Sequence, residues 1–169
     1  YIDVGDNIKN QLTNVPTFSF SLWAYSRGLP NNAGIIGLGD SGSRQIWVYG
    51  AQDTNRIEFT MTNSSGNTVI ILVDNVFFIN TWYHFAGVYN GSHMLLYRNG
   101  ILIGNQTNNG NSSSGSTNNF IGYINSFGRF NGTIDEVLIW NRSLNSLEIN
   151  NSYLGNPPID SSLVSYWKF

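Results

Sequence analysis

The sequence predicts an all-β fold, a sandwich or a barrel of short strands, on three grounds. Apolar side chains recur at period two or in short runs, and almost nowhere at helical spacing. Turn residues separate these runs: the 169-residue chain holds 25 Asn and 18 Gly, both tolerant of the positive φ that tight turns require. An apolar fraction of 41% with five Trp is enough for a real core in one domain of this length.

In chain order the predicted strands are 1–4 (YIDV), 17–25 (TFSFSLWAY), 33–39 (AGIIGLG), 45–50 (QIWVYG), 56–61 (RIEFTM) and 68–73 (TVIILV). They continue at 82–90 (WYHFAGVYN), 93–100 (HMLLYRNG), 119–124 (NFIGYI), 133–140 (TIDEVLIW) and 163–169 (LVSYWKF). In 17–25 the alternation puts Phe18, Phe20 and Leu22 on one face and Ser19, Ser21 and Trp23 on the other. Residues 91–104 read as a hairpin with Asn99-Gly100 as its two-residue turn. Residues 105–118 carry no apolar side chain and are predicted to be a solvent loop. Asn145-Ser146-Leu147-Glu148 fits a capping box for one short helical turn. The paired prolines of NPPID (156–160) then lead to the last strand. An apolar strand ending on Tyr166-Trp167-Lys168-Phe169 is a poor free tail in water, so it is predicted to pack on a sheet, in this chain or in a neighbour.

Charged residues make up 11% of the chain and the net charge is −2, which excludes the basic footprint of a nucleic-acid binder. No run approaches the ~20 apolar residues of a membrane-spanning helix. There is no Cys, hence no disulfide and no thiolate site. Glycosylation triplets occur at Asn63, Asn90, Asn105, Asn111, Asn131, Asn141 and Asn150. A chain this rich in Asn, Ser and Thr makes such triplets by chance. Seven of them in a lightly charged chain also fit an extracellular or cell-surface glycoprotein, whose glycans supply the solubility that charge does not.

Glycoside hydrolysis needs two carboxyls facing each other across a sugar, roughly 5 to 9 Å apart. No acid-x-acid or acid-x3-acid pair falls inside a predicted strand, and Asp135 and Glu136 are adjacent, so they are predicted to point to opposite faces. Two His, at 84 and 93, with no Cys argue against zinc, and the GxSxG and GxxxxGK[ST] motifs are absent. An enzyme is therefore the least favoured class. Calcium accepts loop carboxylates, amides and carbonyls. DVGDN (3–7) offers such oxygens and Asp135 could complete them; equally, Asp3 and Asp6 could be turn residues capping backbone amides.

Five segments stand in order: the entering strand 1–5, the Phe18–Trp23 strand, Trp82-Tyr83-His84-Phe85-Ala86, Leu96-Tyr97-Arg98-Asn99-Gly100, and Phe130-x-Gly132-x-Ile134-Asp135-Glu136-Val137 followed by Trp140-Asn141-Arg142-x-Leu144 and Glu148-Ile149. Together they resemble the laminin-G-like, concanavalin-A-like family that also includes the pentraxins, and the last segment is the most specific. The resemblance implies a two-sheet antiparallel jelly roll over residues 1–154, with 155–169 a linker and terminal strand. It also implies a structural Ca2+ near the rim, held by Asp135 with Asp6 or Asn7. In this family a strand like 162–169 normally opens the domain; here it closes the chain, and so either completes the same sandwich or is donated to a neighbouring domain or subunit.

Two functional readings follow. One is a non-catalytic structural or adhesion module, a glycosylated subunit or repeat unit of a surface layer, filament or large surface protein, with like subunits or adjacent repeats as partners through the terminal strand. The other is a carbohydrate-binding module using Trp47, Tyr49 and Tyr123, with Asn125 and Arg129 nearby.

Overall fold

Alternation along strand β2 (Phe18–Gly28) creates the layers. Phe18, Phe20, Leu22 and Ala24 are fully buried in the main core, while Ser19, Ser21, Trp23 and Tyr25 turn to the opposite face. The computed structural model describes residues 1–28, 33–39, 44–51, 54–113, 118–124 and 128–169. Two antiparallel sheets enclose the core. The first runs β14 (Leu163–Trp167), β13 (Asn131–Trp140), β2, β7 (Trp82–Tyr89), β8 (His93–Arg98) and β9 (Ile101–Thr107). The second runs β1 (Ile2–Asp3), β10 (Asn119–Ile121), β3 (Ala33–Leu38), β4 (Ile46–Ala51), β5 (Arg56–Thr62) and β6 (Thr68–Val73). Two further short strands of that sheet, β11 (Tyr123–Ile124) and β12 (Gly128–Arg129), pair with each other, and β12 lies parallel to β3 at Arg129 and Gly34.

Aromatic rings fill the space between the sheets. Phe59 meets Phe20 edge-on at 5.1 Å, and Phe77 packs edge-on against Phe85 at 5.1 Å and stacks on Phe130 at 6.2 Å. Gly87 of β7 belongs to this packing. A Cβ there would overlap the Phe20 ring and come within 3.0 Å of Phe59. Gly87→Ala is accordingly expected to cost roughly 1–3 kcal/mol of stability, measured as a lowered urea midpoint at unchanged slope.

The β8–β9 hairpin turns at Asn99 (φ 50°) and Gly100 (φ 78°), with Arg98 opposite Ile101, as a two-residue turn with positive φ at both positions requires. Asn99 is also tied to β7: its Oδ1 accepts from His84 N at 2.9 Å and its N donates to His84 O at 2.8 Å.

Two segments of the fold depart from expectation. Of the predicted loop 105–118, residues 105–107 are the end of β9, residues 108–113 are not a free loop, and 114–117 lie outside the described residues. Asn108, Ser112 and Ser113 are buried, and the Ser112 hydroxyl donates to Leu12 O at 2.5 Å and accepts from Val15 N at 3.1 Å. Polar side chains there satisfy the backbone of neighbouring turns, which is why an apolar count misses the packing. The second departure is helix α1 (Asn7–Leu12), which follows DVGD and buries Ile8 and Leu12.

The terminal strand β14 lies antiparallel along β13, pairing Trp167 with Val137, Tyr166 with Leu138 and Ser165 with Ile139. Among the described residues it forms one edge of the six-stranded sheet, and β9 forms the other.

Candidate functional site

The outer face of the six-stranded sheet is divided in two. Over one half lies helix α2 (Ser146–Tyr153), which closes a second core of Ala86, Val88, Tyr97, Leu138, Trp140, Leu144 and Ile149. The helix starts with the predicted capping box: Asn145 Oδ1 accepts from Glu148 N at 3.0 Å, and Asn145 N donates to Glu148 Oε2 at 2.8 Å. Arg142 reinforces that start. Its guanidinium forks onto Glu148 at 2.7 and 3.0 Å and reaches Asp160 at 2.8 Å, while Nε donates to Ser162 Oγ at 2.9 Å. Hydrogen bonds to Glu148 and Asp160 raise the Arg142 pKa, and Arg142 lowers that of Glu148. Trp140 completes the fastening by donating from Nε1 to Pro158 O at 2.9 Å. The linker after α2 is thereby held against the sheet.

Beyond the end of α2 the same face stays uncovered and is aromatic. Register places Trp23 opposite His84 and Tyr25 opposite Trp82 on β7, with Asp135 opposite Trp23 on β13. Trp82 lies 6.5 Å from Trp23 and 5.6 Å from Tyr25, and Tyr153 at the helix end lies 5.7 Å from Trp23. Trp82 is 43% exposed, and Trp23 and Tyr25 are half-buried. An open cavity of about 340 Å³ is lined by Trp23, Trp82, Asp135 and Glu136.

The two acids do not separate to opposite faces as simple alternation predicts. Register between β13 and β2 shifts between Asp135 and Leu138, and Glu136 takes φ 49° within that bulge. Both carboxylates therefore line the same cavity and grip the terminal segment. Asp135 Oδ1 accepts from Glu136 N at 2.8 Å and Phe169 N at 2.9 Å. Glu136 accepts from the Tyr166 hydroxyl and pairs with Lys168 Nζ at 3.1 Å, raising the pKa of both partners.

A second cavity, of about 290 Å³, adjoins the first, with Trp23 and Glu136 in both linings. His84 lines it at 1% exposure, and its Nδ1 is buried with no hydrogen-bond partner. Burial pushes the His84 pKa down to about 4. Ser21 and Ser152 share a hydrogen bond of 3.0 Å in the same lining.

The aromatics singled out from the sequence lie elsewhere. Trp47 and Tyr49 form a small cluster with Ile124 and are 1% and 7% exposed. Trp47 Nε1 donates to Gly39 O at 2.8 Å, and the Arg44 guanidinium sits 4.6 Å over its ring. Tyr123 packs against Tyr1 at 5.2 Å and Phe120 at 5.3 Å, and Arg129 lies 5.0 Å over the Tyr1 ring. Asn125 falls outside the described residues. Alternation marks which aromatics leave the main core, but not which of them another element then covers.

The suggested calcium ligands are engaged separately. Asp6 Oδ1 accepts from Asn119 Nδ2 at 3.2 Å, Asn7 opens α1, and Asp135 holds backbone amides. Among the described residues no three His, Cys, Asp or Glu side chains gather as a metal-holding group. Among the glycosylation triplets, Asn90, Asn105, Asn131, Asn141 and Asn150 are exposed, and Asn111 is half-buried with Nδ2 donating to Asn14 O at 3.0 Å. Asn63 is 4% exposed. Its Nδ2 donates to Asn108 Oδ1 and Asn109 O, and its Oδ1 accepts from Ser65 N and Asn67 N, so a glycan there is incompatible with this packing.

The two-sheet antiparallel jelly roll defines a class, and comparison with known proteins agrees with it. Residues 1–150 match the laminin-G family model described as "Concanavalin A-like lectin/glucanases superfamily", and the chain belongs to that family. No curated protein is matched. Among solved structures, a putative carbohydrate binding protein from Bacteroides ovatus is similar with a TM-score of 0.71 at 20% identity, over 91% of this chain and 45% of that one. The native heptameric SAP-like pentraxin from Limulus polyphemus is similar at 0.70 and 17% identity, over 92% and 78%. The botulinum neurotoxin serotype G binding domain follows at 0.61 and 21%, over 84% and 37%. This chain thus spans less than half the length of the first of these and of the third.

Proposed function

We propose that this is a non-catalytic, extracellular carbohydrate-binding domain whose site is the uncovered face carrying Trp23, Tyr25 and Trp82 beside Asp135. One observation carries the reading: of three neighbouring aromatic rings, Trp23 and Trp82, the latter 43% exposed, border an open cavity together with two carboxylates. Sugar rings stack on aromatic faces and their hydroxyls donate to carboxylates, so this is the chemistry such a ligand needs. The family's description as lectins and glucanases supports a saccharide ligand, and so does the carbohydrate-binding designation of the Bacteroides ovatus protein. Asp135 and Glu136 are occupied in holding the chain's own terminal segment, which favours binding over hydrolysis. The exposed glycosylation triplets support an extracellular setting. No helix among the described residues is long and apolar enough to cross a membrane.

A printed array of linear glycans, followed by calorimetric titration of the glycans retained, tests the reading. Trp82→Ala is expected to weaken binding at least tenfold with an unchanged melting temperature, since the ring is largely outside the core. Equal binding by this variant would overturn the assignment. Repeating the titration in calcium and in EDTA tests whether an ion at Asp135 belongs to the site; equal affinity removes it from the proposal.

A second reading, a structural or adhesion module built from like subunits, rests on β9, an edge strand whose Ile101 and Leu102 are 69% and 47% exposed. Light scattering that rises with protein concentration would support it, and a monomer at all concentrations would dismiss it.

A further inference from the structure

We propose that this site takes a glycan end-on, the second cavity receiving the terminal sugar, with the segment beyond residue 154 as its far wall. The inference rests on the carbohydrate reading of the aromatic face and adds to it a direction and a stopping point. Because Trp23 and Glu136 border both cavities, a saccharide stacked along Trp82 and Trp23 runs on into the second. There it meets Gly155 and Pro157 of the linker and Tyr166 and Lys168 of the terminal strand. The Trp140–Pro158 bond and the Arg142 contacts to Asp160 and Ser162 hold that wall in place. A chain bound by its middle would need a way out on this side.

The cavity is polar where a sugar end would reach. The Ser21 and Ser152 hydroxyls, bonded to each other in its lining, offer donors and acceptors to sugar hydroxyls, and the buried ring of His84 beside them reports what enters. Lys168 in the lining is paired with Glu136 at 3.1 Å and desolvation keeps His84 neutral at neutral pH, a balance that suits an uncharged polyhydroxyl. The family match ends at residue 150, so the far wall lies outside the matched region.

The test observes the His84 ring nitrogens by NMR while the intact protein is titrated with glucose, galactose, mannose and N-acetylglucosamine, alongside the glycan array. The expected result is that at least one of these monosaccharides moves the His84 resonances, and that Tyr166→Ala raises the half-saturating concentration at least tenfold. Tyr166 is 42% exposed, so this variant keeps the fold, and its melting temperature checks that. Array binding that depends on Trp82 while no monosaccharide moves His84 would overturn end-on capture and leave the aromatic site standing. Absence of both array binding and His84 shifts would overturn the two together. A His84 shift that Tyr166→Ala leaves unchanged would remove the terminal segment as the wall.

Discussion

Replacing Trp140 with Ala is expected to lower the unfolding free energy by roughly 3–5 kcal/mol, the usual cost of removing a large buried aromatic. Trp140 is fully buried at the end of β13, in the core that α2 closes over the sheet. It also carries a bond that truncation leaves unmade, because its Nε1 is the donor to Pro158 O. Trp140→Phe retains most of the apolar volume and loses that bond, so it should cost distinctly less. Urea unfolding of both variants separates packing from hydrogen bonding. Hydrogen exchange adds a regional readout: protection in 155–167 should fall in both variants, since both free the linker, and protection in β4 and β5 should fall only with global stability. A Trp140→Ala variant as stable as the parent would mean that the helix-covered core contributes little.

The second large effect is loss of stability in acid, traced to His84. The ring packs against Trp23 at 5.5 Å and Tyr153 at 5.9 Å, and desolvation holds its pKa near 4. In the unfolded chain the same imidazole takes up a proton near pH 6.5. Above that pH neither state binds the proton and His84 makes stability no steeper. As pH falls from about 6.5 to about 4 the unfolded state binds more protons than the native one, so stability drops by about 3 kcal/mol in total. Below about 4 both states are protonated and this loss levels off. Glu148 and Asp160, whose carboxyls are lowered chiefly by hydrogen bonds to Arg142 and to Ser162 respectively, give up their contributions at still lower pH. Stability curves at pH 7.5, 6, 5 and 4 should show the parent losing about 3 kcal/mol relative to His84→Gln as the pH falls, whatever their difference at neutral pH. Parallel curves would show that another group sets the acid limit.

Much of this architecture was legible in the residues because strand signals are local. The Phe18-Phe20-Leu22 alternation, the Asn99-Gly100 turn and the Asn145–Glu148 capping box each act within a few positions, and each is found where the pattern puts it. Helix α1 was not legible, because Asn7–Leu12 offers only Ile8 and Leu12 as an apolar repeat and the Asp6 side chain makes no capping bond to the helix. The site was missed for a different reason. Trp23 and Trp82 read as ordinary members of two strands 59 residues apart, and only the sheet register sets them side by side. Likewise, period-two counting cannot foresee that a bulge at Glu136 brings two neighbouring acids to one side. What remains hidden from a single sequence is where one element stops covering another: α2 ends at Tyr153, and that ending leaves the aromatic face open.

The place of β2 at the centre of its sheet has a kinetic consequence. Its neighbour β7 follows midway along the chain, but its other neighbour, β13, is more than a hundred residues away, and β1 likewise waits for β10. Such distant pairings carry a large loop-closure cost, so the protein should fold on the millisecond-to-second scale of β-sandwiches, with hairpins β4–β5–β6 and β7–β8–β9 formed first. Until β13 arrives, β2 presents an open edge whose Phe18, Phe20 and Leu22 invite pairing with other chains. For a nascent copy of this domain, aggregation is therefore a hazard of timing, concentrated in the interval before its last third has been made.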